Sequence, residues 1–273
     1  MRLRELRLSL MSRLDPIDAR IIIRLATGLD DLNQLMEPER IITDEEERKA
    51  MNLAGERLSG IPMAYIMGEK EFYGLPFRIT EDVLIPRPDT ETLVDVAIRL
   101  SSSFSNPRIL DLCTGSGAVG TAIAHTLSIP VALSDISPAA LSIAAENYER
   151  NIGKRPDARL GSLLEPWSGS VFDIIATNPP YLTDRWYEET EIDVKKEPPL
   201  AFLGGGEDGL DLIRAIAHEA PCHLSEDGAL AIECDFRQIE SCGRILRNEG
   251  FTSIEVERDA AGKERVIYGR RLS

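Results

Sequence analysis

The sequence predicts an α/β fold: a doubly wound, mostly parallel sheet, preceded by a small helical domain and joined to it by a β-hairpin. Three observations predict it. From Asp89 onward, apolar runs of strand length alternate with amphipathic stretches of helix length. The runs are nearly continuous in apolar residues, as strands covered on both faces are. The first of them, "RILDL", leads straight into the glycine-rich turn "CTGSGAVG", the punctuation of a strand–turn–helix unit that meets a ligand.

The first 60 residues read as short helices. "DPIDARIIIRLATG" opens with Asp15 as N-cap and Pro16 at the first helical position, and stops at Gly28. "TDEEERKAMNLAGERLSG" opens with Thr43 and Glu46 in capping-box spacing and stops at Gly60, with Met51, Leu53, Ala54 and Leu58 as its apolar stripe. The character then changes. "EFYGLPFRITEDVLIPRPDTE" sets aromatic and β-branched residues around Gly74 and Pro76, a hairpin bridging two domains, and Pro86 and Pro88 stiffen its exit. The domain boundaries follow: residues 1–68 form a helical bundle, 69–88 a hairpin linker and 89–273 the α/β domain. Within the last, "DTETLVDVAIRLSSS", "GAVGTAIAHTL" and "SPAALSIAAENYERN" are helices, and "RILDL", "VALSD" and "FDIIAT" are strands. The last third reads as further strands, "GALAIECD", "FTSIEVERD" and "ERVIYG", the final two as an antiparallel pair.

Composition excludes several function classes. At 273 residues and 43% hydrophobic content the chain can bury a sizeable core. No stretch approaches the roughly 20 apolar residues that span a bilayer, so no membrane partner is expected. The start, "MRLRELRLSLMSRLD", alternates Arg with Leu and lacks a continuous apolar segment, which speaks for a first helix and against a secretory signal. The four cysteines (Cys113, Cys222, Cys234 and Cys242) form no C-x-x-C pair, and the three histidines (His125, His218 and His223) have no metal-ligand spacing. A reduced, cytoplasmic protein without a metal is expected. Net charge is −15, divided as −3 over residues 1–88 and −12 over the remainder. Such a surface repels a phosphate backbone and disfavours stable nucleic-acid binding; plain solubility is the alternative reading of the same charge.

Gly115, Gly117 and Gly120 match G-x-G-x-x-G between strand and helix. Asp135 closes the next strand, "VALSD", where a carboxylate can accept hydrogen bonds from two ribose hydroxyls. These features fit a dinucleotide and S-adenosylmethionine alike. Asp111, at the end of the first strand, separates them. A pyrophosphate would be repelled by a carboxylate there, whereas a sulfonium with an α-ammonium would be attracted. Alternatively Asp111 caps the loop by accepting from backbone N–H groups.

The strand "FDIIAT" ends in "NPPY". In open α/β sheets ligands sit beyond the carboxyl ends of the strands, near the topological switch. With this strand beside the glycine-loop strand, Asn178 points toward the reactive end of the ligand. Its side-chain oxygen can accept one hydrogen of a planar –NH2 group, and the carbonyl of Pro179 can accept the other. Two acceptors held by rigid prolines aim the nitrogen lone pair at an incoming methyl, and Tyr181 supplies a flat wall. The pattern suits alkylation of an amide or an arylamine. A plain Pro-Pro turn after a core strand explains the rigidity but leaves Asn178 and Tyr181 unexplained.

With these motifs the chain resembles the release factor glutamine methyltransferases, the HemK-like family, from about Pro62 to Val266. "PMAYIMGEKEFYGLPFRITEDVLIPRPDTE" is similar to the family's linker and domain entry, "ILDLCTGSGAVG" to its cofactor loop, "SDISPAAL" to its ribose-binding acid and "ATNPPYL" to its active site. "EPPLAFLGGGEDGLDLIR" and "RDAAGKERVIYG" resemble later signatures. The resemblance implies a methyltransferase fold that takes S-adenosylmethionine and no metal. It implies as substrate the Gly-Gly-Gln tip of class I peptide release factors; the helical domain is expected to recognise the substrate protein, and a monomer is expected. It further implies that Cys113, Thr114, Gly115, Ser116 and Gly117 wrap the methionine moiety, that Asp135 binds the ribose and that Leu163 flanks the adenine. Asn178 would touch both donor and substrate. Pro179, Pro180 and Tyr181 complete the amide pocket, and Arg87 braces it from the linker.

Three positions depart from the family pattern. Cys113 stands where glycine is common, which a negative φ would allow; Ser162 stands where an acid beside the adenine is common; and "ECD" around Cys234 replaces a segment that often carries glycine. Three other readings of the motifs stay open at the level of sequence: an N6-adenine or other nucleobase-amine methyltransferase, a nicotinamide-dependent oxidoreductase, and a non-catalytic adaptor that binds S-adenosylmethionine.

Overall fold

In the computed structural model, which describes residues 1–271, the chain divides into two compact units. Met1–Gly68 and Ile192–Lys196 form one, and Glu69–Glu191 with Glu197 onward forms the other.

The first unit is helical: α1 (Leu3–Met11), α2 (Pro16–Thr27), α3 (Asp31–Met36), α4 (Asp44–Leu58) and α5 (Met63–Met67). Its local signals act as their chemistry requires. Asp15 accepts from the Ile17 N–H at 2.7 Å, and Gly28 ends α2 in the left-handed region at φ 74°. At α4, Thr43 and Glu46 exchange both capping-box bonds. The buried stripe of α4 differs from the expected one. Ala50 and Ala54 face the core built from Leu3, Leu6, Leu10, Ile22 and Ile23, whereas Met51 and Leu58 are exposed. Small residues on this face let α2 approach α4 closely, so the larger apolar groups turn outward. The short return segment 192–196 also belongs to this unit: Asp193 pairs with Arg57 at 2.8 Å.

The second unit opens with a hairpin, β1 (Glu69–Phe72) and β2 (Leu75–Arg78), paired antiparallel. The hairpin groups with the sheet instead of standing as a separate linker. Next come α6 (Glu91–Ser101), β3 (Ile109–Leu112), α7 (Ala118–Leu127), β4 (Val131–Asp135), α8 (Pro138–Ile152), β5 (Ala158–Leu160) and β6 (Phe172–Thr177). They are followed by α9 (Asp184–Glu188), α10 (Asp211–Glu219), β7 (Leu224–Glu233), α11 (Ile239–Asn248), β8 (Phe251–Arg258) and β9 (Glu264–Arg271). The seven sheet strands run in the order β5-β4-β3-β6-β7-β9-β8. The five from β5 to β7 are parallel, and β9 is antiparallel to both β7 and β8.

Winding from β3 out to β5, and then back across β3 to β6, places the switch point between β3 and β6. Alternation within the strands covers both faces. Leu110, Leu112, Ile175, Leu230 and Ile232 join a core with Ile213 and Ile216 of α10 and with Cys242 and Leu246 of α11. Helices α10 and α11 interrupt the last third, where strands alone are expected; their apolar residues recur at helical spacing between the strand runs.

Candidate active site

The chain leaves β3 through a turn with three residues of positive φ. Cys113, Gly115 and Gly117 all lie in the left-handed region, at φ 60°, 55° and 80°. A negative φ at Cys113, expected from its side chain, is therefore not what the turn adopts. A non-glycine residue held there costs on the order of 1–3 kcal/mol and persists only where its surroundings enforce it. Space also constrains two of the glycines. A Cβ on Gly117 would lie 2.9 Å from the Ala144 Cα, and one on Gly120 would lie 2.4 Å from the Leu133 Cδ2. Both positions bring α7 against its neighbours at backbone distance. Asp111, buried beneath the turn, accepts from the Thr114 hydroxyl at 2.5 Å and from the Gly120 N–H at 2.8 Å. The capping reading of Asp111 thus describes one of its two oxygens, while the residue also lines the adjoining cavity. Asn147, fully buried on α8, donates to the carbonyls of Arg78 and Ser116 and accepts from the Arg78 N–H. It ties hairpin, helix and glycine turn together.

Asp135 ends β4 on the same side. Its Oδ2 accepts from the Gly115 N–H at 2.8 Å and its Oδ1 from the Ser137 N–H at 2.9 Å. Burial raises its pKa, and these backbone bonds work against the rise. Each oxygen keeps a further lone pair for a ligand hydroxyl. Ile136 follows, an apolar side chain left 55% exposed at the cavity edge. Leu163, at φ 44°, and Ser162 also line the cavity.

Strand β6 brings the amide motif to the switch point. Thr177 donates to the Leu112 carbonyl at 2.8 Å and so ties β6 to β3 just before both strands end. Asn178 Nδ2 then donates to the Thr90 hydroxyl oxygen at 3.3 Å, which leaves Asn178 Oδ1 as the free acceptor. One cavity is lined by Arg87, Cys113, Thr114, Gly115, Ser116, Asp135, Leu163, Asn178 and Pro180. Gly117, Pro179 and Tyr181 stand just outside that lining. Gly117 caps α7 and Pro179 is buried. Tyr181 packs against the core, and its hydroxyl lies 3.5 Å from Glu233 Oε1. Arg87 pairs with the buried Glu197, whose other oxygen accepts from the Ile85 N–H at 2.9 Å. The guanidinium is thereby held at the cavity wall.

A family model described as the methyltransferase small domain matches residues 90–197, and one described as the PrmC N-terminal domain matches residues 3–68. A release factor glutamine methyltransferase from Neisseria gonorrhoeae is 37% identical over 267 residues, covering 96% of this chain and 96% of its own. Another, from Agrobacterium fabrum, is 35% identical over 266 residues, covering 94% and 91%. The chain belongs to the release factor glutamine methyltransferase family. Among solved structures, the hMettl16 catalytic domain superposes with a TM-score of 0.62 at 13% identity, covering 98% of this chain and 91% of that one. It shares the fold.

Family members transfer a methyl group, and the cavity here suits S-adenosylmethionine as the donor. Three carboxylates, Asp82, Asp111 and Asp135, line it, and Val119, Ile136 and Leu163 add apolar surface. At Gly115 no atom lies within 4 Å of a Cβ position, so the loop backbone itself is open to a ligand. Sequence reasoning missed Ile136, Asn147, Thr90 and Glu233. An apolar residue directly after a strand-end acid was a readable signal for Ile136. Thr90 reads in sequence as part of a helix start, yet its side chain makes no cap bond; its hydroxyl serves Asn178 instead.

Proposed function

We propose that this chain transfers a methyl group from S-adenosylmethionine to the side-chain amide nitrogen of the glutamine in the Gly-Gly-Gln tip of class I release factors. The observation that carries the reading is the orientation of Asn178. Its amide nitrogen is bonded to Thr90, so its oxygen is the group available to a substrate –NH2 at the end of β6, beside the glycine turn.

Asp135 would hold the ribose hydroxyls, with Ile136 and Leu163 against the adenine. The turn from Cys113 to Gly117 would wrap the methionine moiety, its positive end drawn by Asp111. When bound, the donor supplies an electrophilic methyl on a sulfonium. The protein supplies geometry. Asn178 Oδ1 and the Pro179 carbonyl each accept one hydrogen of the substrate amide, so that its plane is fixed and electron density favours nitrogen. Such orientation can contribute roughly 7–11 kcal/mol to lowering a barrier. Pro180 shapes the mouth of the pocket. Arg87, braced by Glu197, sets its far wall. Tyr181, packed against the core with its hydroxyl near Glu233, would support the clamp from behind.

Asn178→Ala tests the reading. Turnover should fall by about 10²–10³-fold, as when one oriented hydrogen-bonding group is lost from a transition state. Calorimetric affinity for S-adenosylhomocysteine should change far less. Wild-type turnover in this variant would overturn the clamp.

A further inference from the structure

Behind the clamp lies a buried carboxyl that the proposed chemistry does not use. Thr177 and Ile232 are register partners on parallel strands, so Asn178 and Glu233 follow them out of the sheet side by side. Glu233 is 2% exposed, and its Oε2 is buried without a hydrogen-bond partner among the described residues. Tyr181 approaches its Oε1 at 3.5 Å. Burial raises the pKa of this carboxyl to about 7, and the neighbouring Thr90 hydroxyl works against the rise. Thr90 is held in place by its neighbour, since Asp89 pairs at 3.0 Å with Arg265 of β9.

We propose that Thr90 and Glu233 are positioning residues for methyl transfer: Glu233 takes the Thr90 hydroxyl hydrogen, which leaves the Thr90 oxygen to accept from Asn178 Nδ2 and turns Asn178 Oδ1 toward the substrate. The inference rests on the clamp reading above. A hydroxyl has one hydrogen to give. Directed at Glu233, that hydrogen cannot turn to Asn178, and the carboxamide has one satisfied orientation. Without the carboxyl, the hydroxyl is free to donate to Asn178 Oδ1. The amide can then rotate by half a turn and present –NH2 to a substrate –NH2. The charges facing Glu233 are Arg265, which favours its ionised form, and Asp89, which opposes it; Tyr181 approaches from the loop after β6. Cys234 and Asp235 follow on its own chain.

The test uses the full-length protein, a release factor and S-adenosylmethionine, with Thr90→Val, Thr90→Ser, Glu233→Met and Asn178→Ala assayed side by side. Thr90→Val and Glu233→Met, both close in volume to the original, should lower kcat by about tenfold or more through misorientation. Their affinity for S-adenosylhomocysteine should stay within about threefold of wild type, and Thr90→Ser should recover kcat to a similar margin. Wild-type kcat in Thr90→Val and Glu233→Met, with Asn178→Ala impaired, overturns this inference and leaves the clamp standing. Loss of donor-product affinity in step with kcat also overturns it, since a merely structural role would act that way. Full turnover in Asn178→Ala removes the clamp and this inference together.

Discussion

At Asp111, burial and hydrogen bonding pull in opposite directions. Burial dominates and pushes its pKa up to about 7, with the negative charge of Asp135 adding to the rise; Thr114 and Gly120 hold it down. The folded value lies above the ordinary 3.8, so the folded protein keeps a proton that the unfolded chain releases between about pH 4 and pH 7. The contribution of this group to stability therefore declines as pH rises through that window. Denaturant unfolding of the ligand-free protein should show the decline, and Asp111→Asn should flatten it. A cationic donor reverses the preference, because it favours the ionised form: its binding should tighten between about pH 6 and about pH 8. Asp111→Asn with an unchanged pH slope would contradict this account. Asp111 was legible from its place before the glycines. Cys113 was legible only as a departure, because a side chain says nothing about the sign of φ when the surrounding turn dictates it.

Among the elements, α7 depends on one absent side chain. Gly120 lies where an added Cβ would also meet Asp111 at 2.9 Å. Gly120→Ala should force α7 away from β3 and β4 and stretch the hydrogen bond to Asp111. The expected cost is about 1–3 kcal/mol, as for overpacking in a filled core, read as a lower denaturant midpoint together with weaker donor binding. A variant as stable as wild type would show that the helix has room to shift. The strands β3, β4 and β6 and the helices between them were readable, because buried parallel strands leave continuous apolar runs and their turns demand glycine or proline. Helices α10 and α11 were hidden between such runs. Thr90 and Glu233 escaped for a different reason. Asn178 meets Thr90 across 88 residues, and only the topology brings their elements together.

For the whole molecule, the sequence placed boundaries at residues 68 and 88; the contacts divide the chain at Gly68 and not at Pro88. The helical unit takes back residues 192–196, and the hairpin belongs with the sheet. A five-residue return from a distant loop carries no compositional mark; it is set by contacts such as Arg57 with Asp193. The net charge of −15 argues for a protein substrate over a phosphate-rich one. The central claim is that a rigid pair of oxygen acceptors presents a glutamine carboxamide for methylation. Its most direct test is peptide-resolved mass spectrometry of a class I release factor incubated with this protein and S-adenosylmethionine. The account predicts the mass gain of a single methyl group on the glutamine of Gly-Gly-Gln, lost in Asn178→Ala. A release factor that stays unmodified, or a methyl found on another side chain, would contradict it.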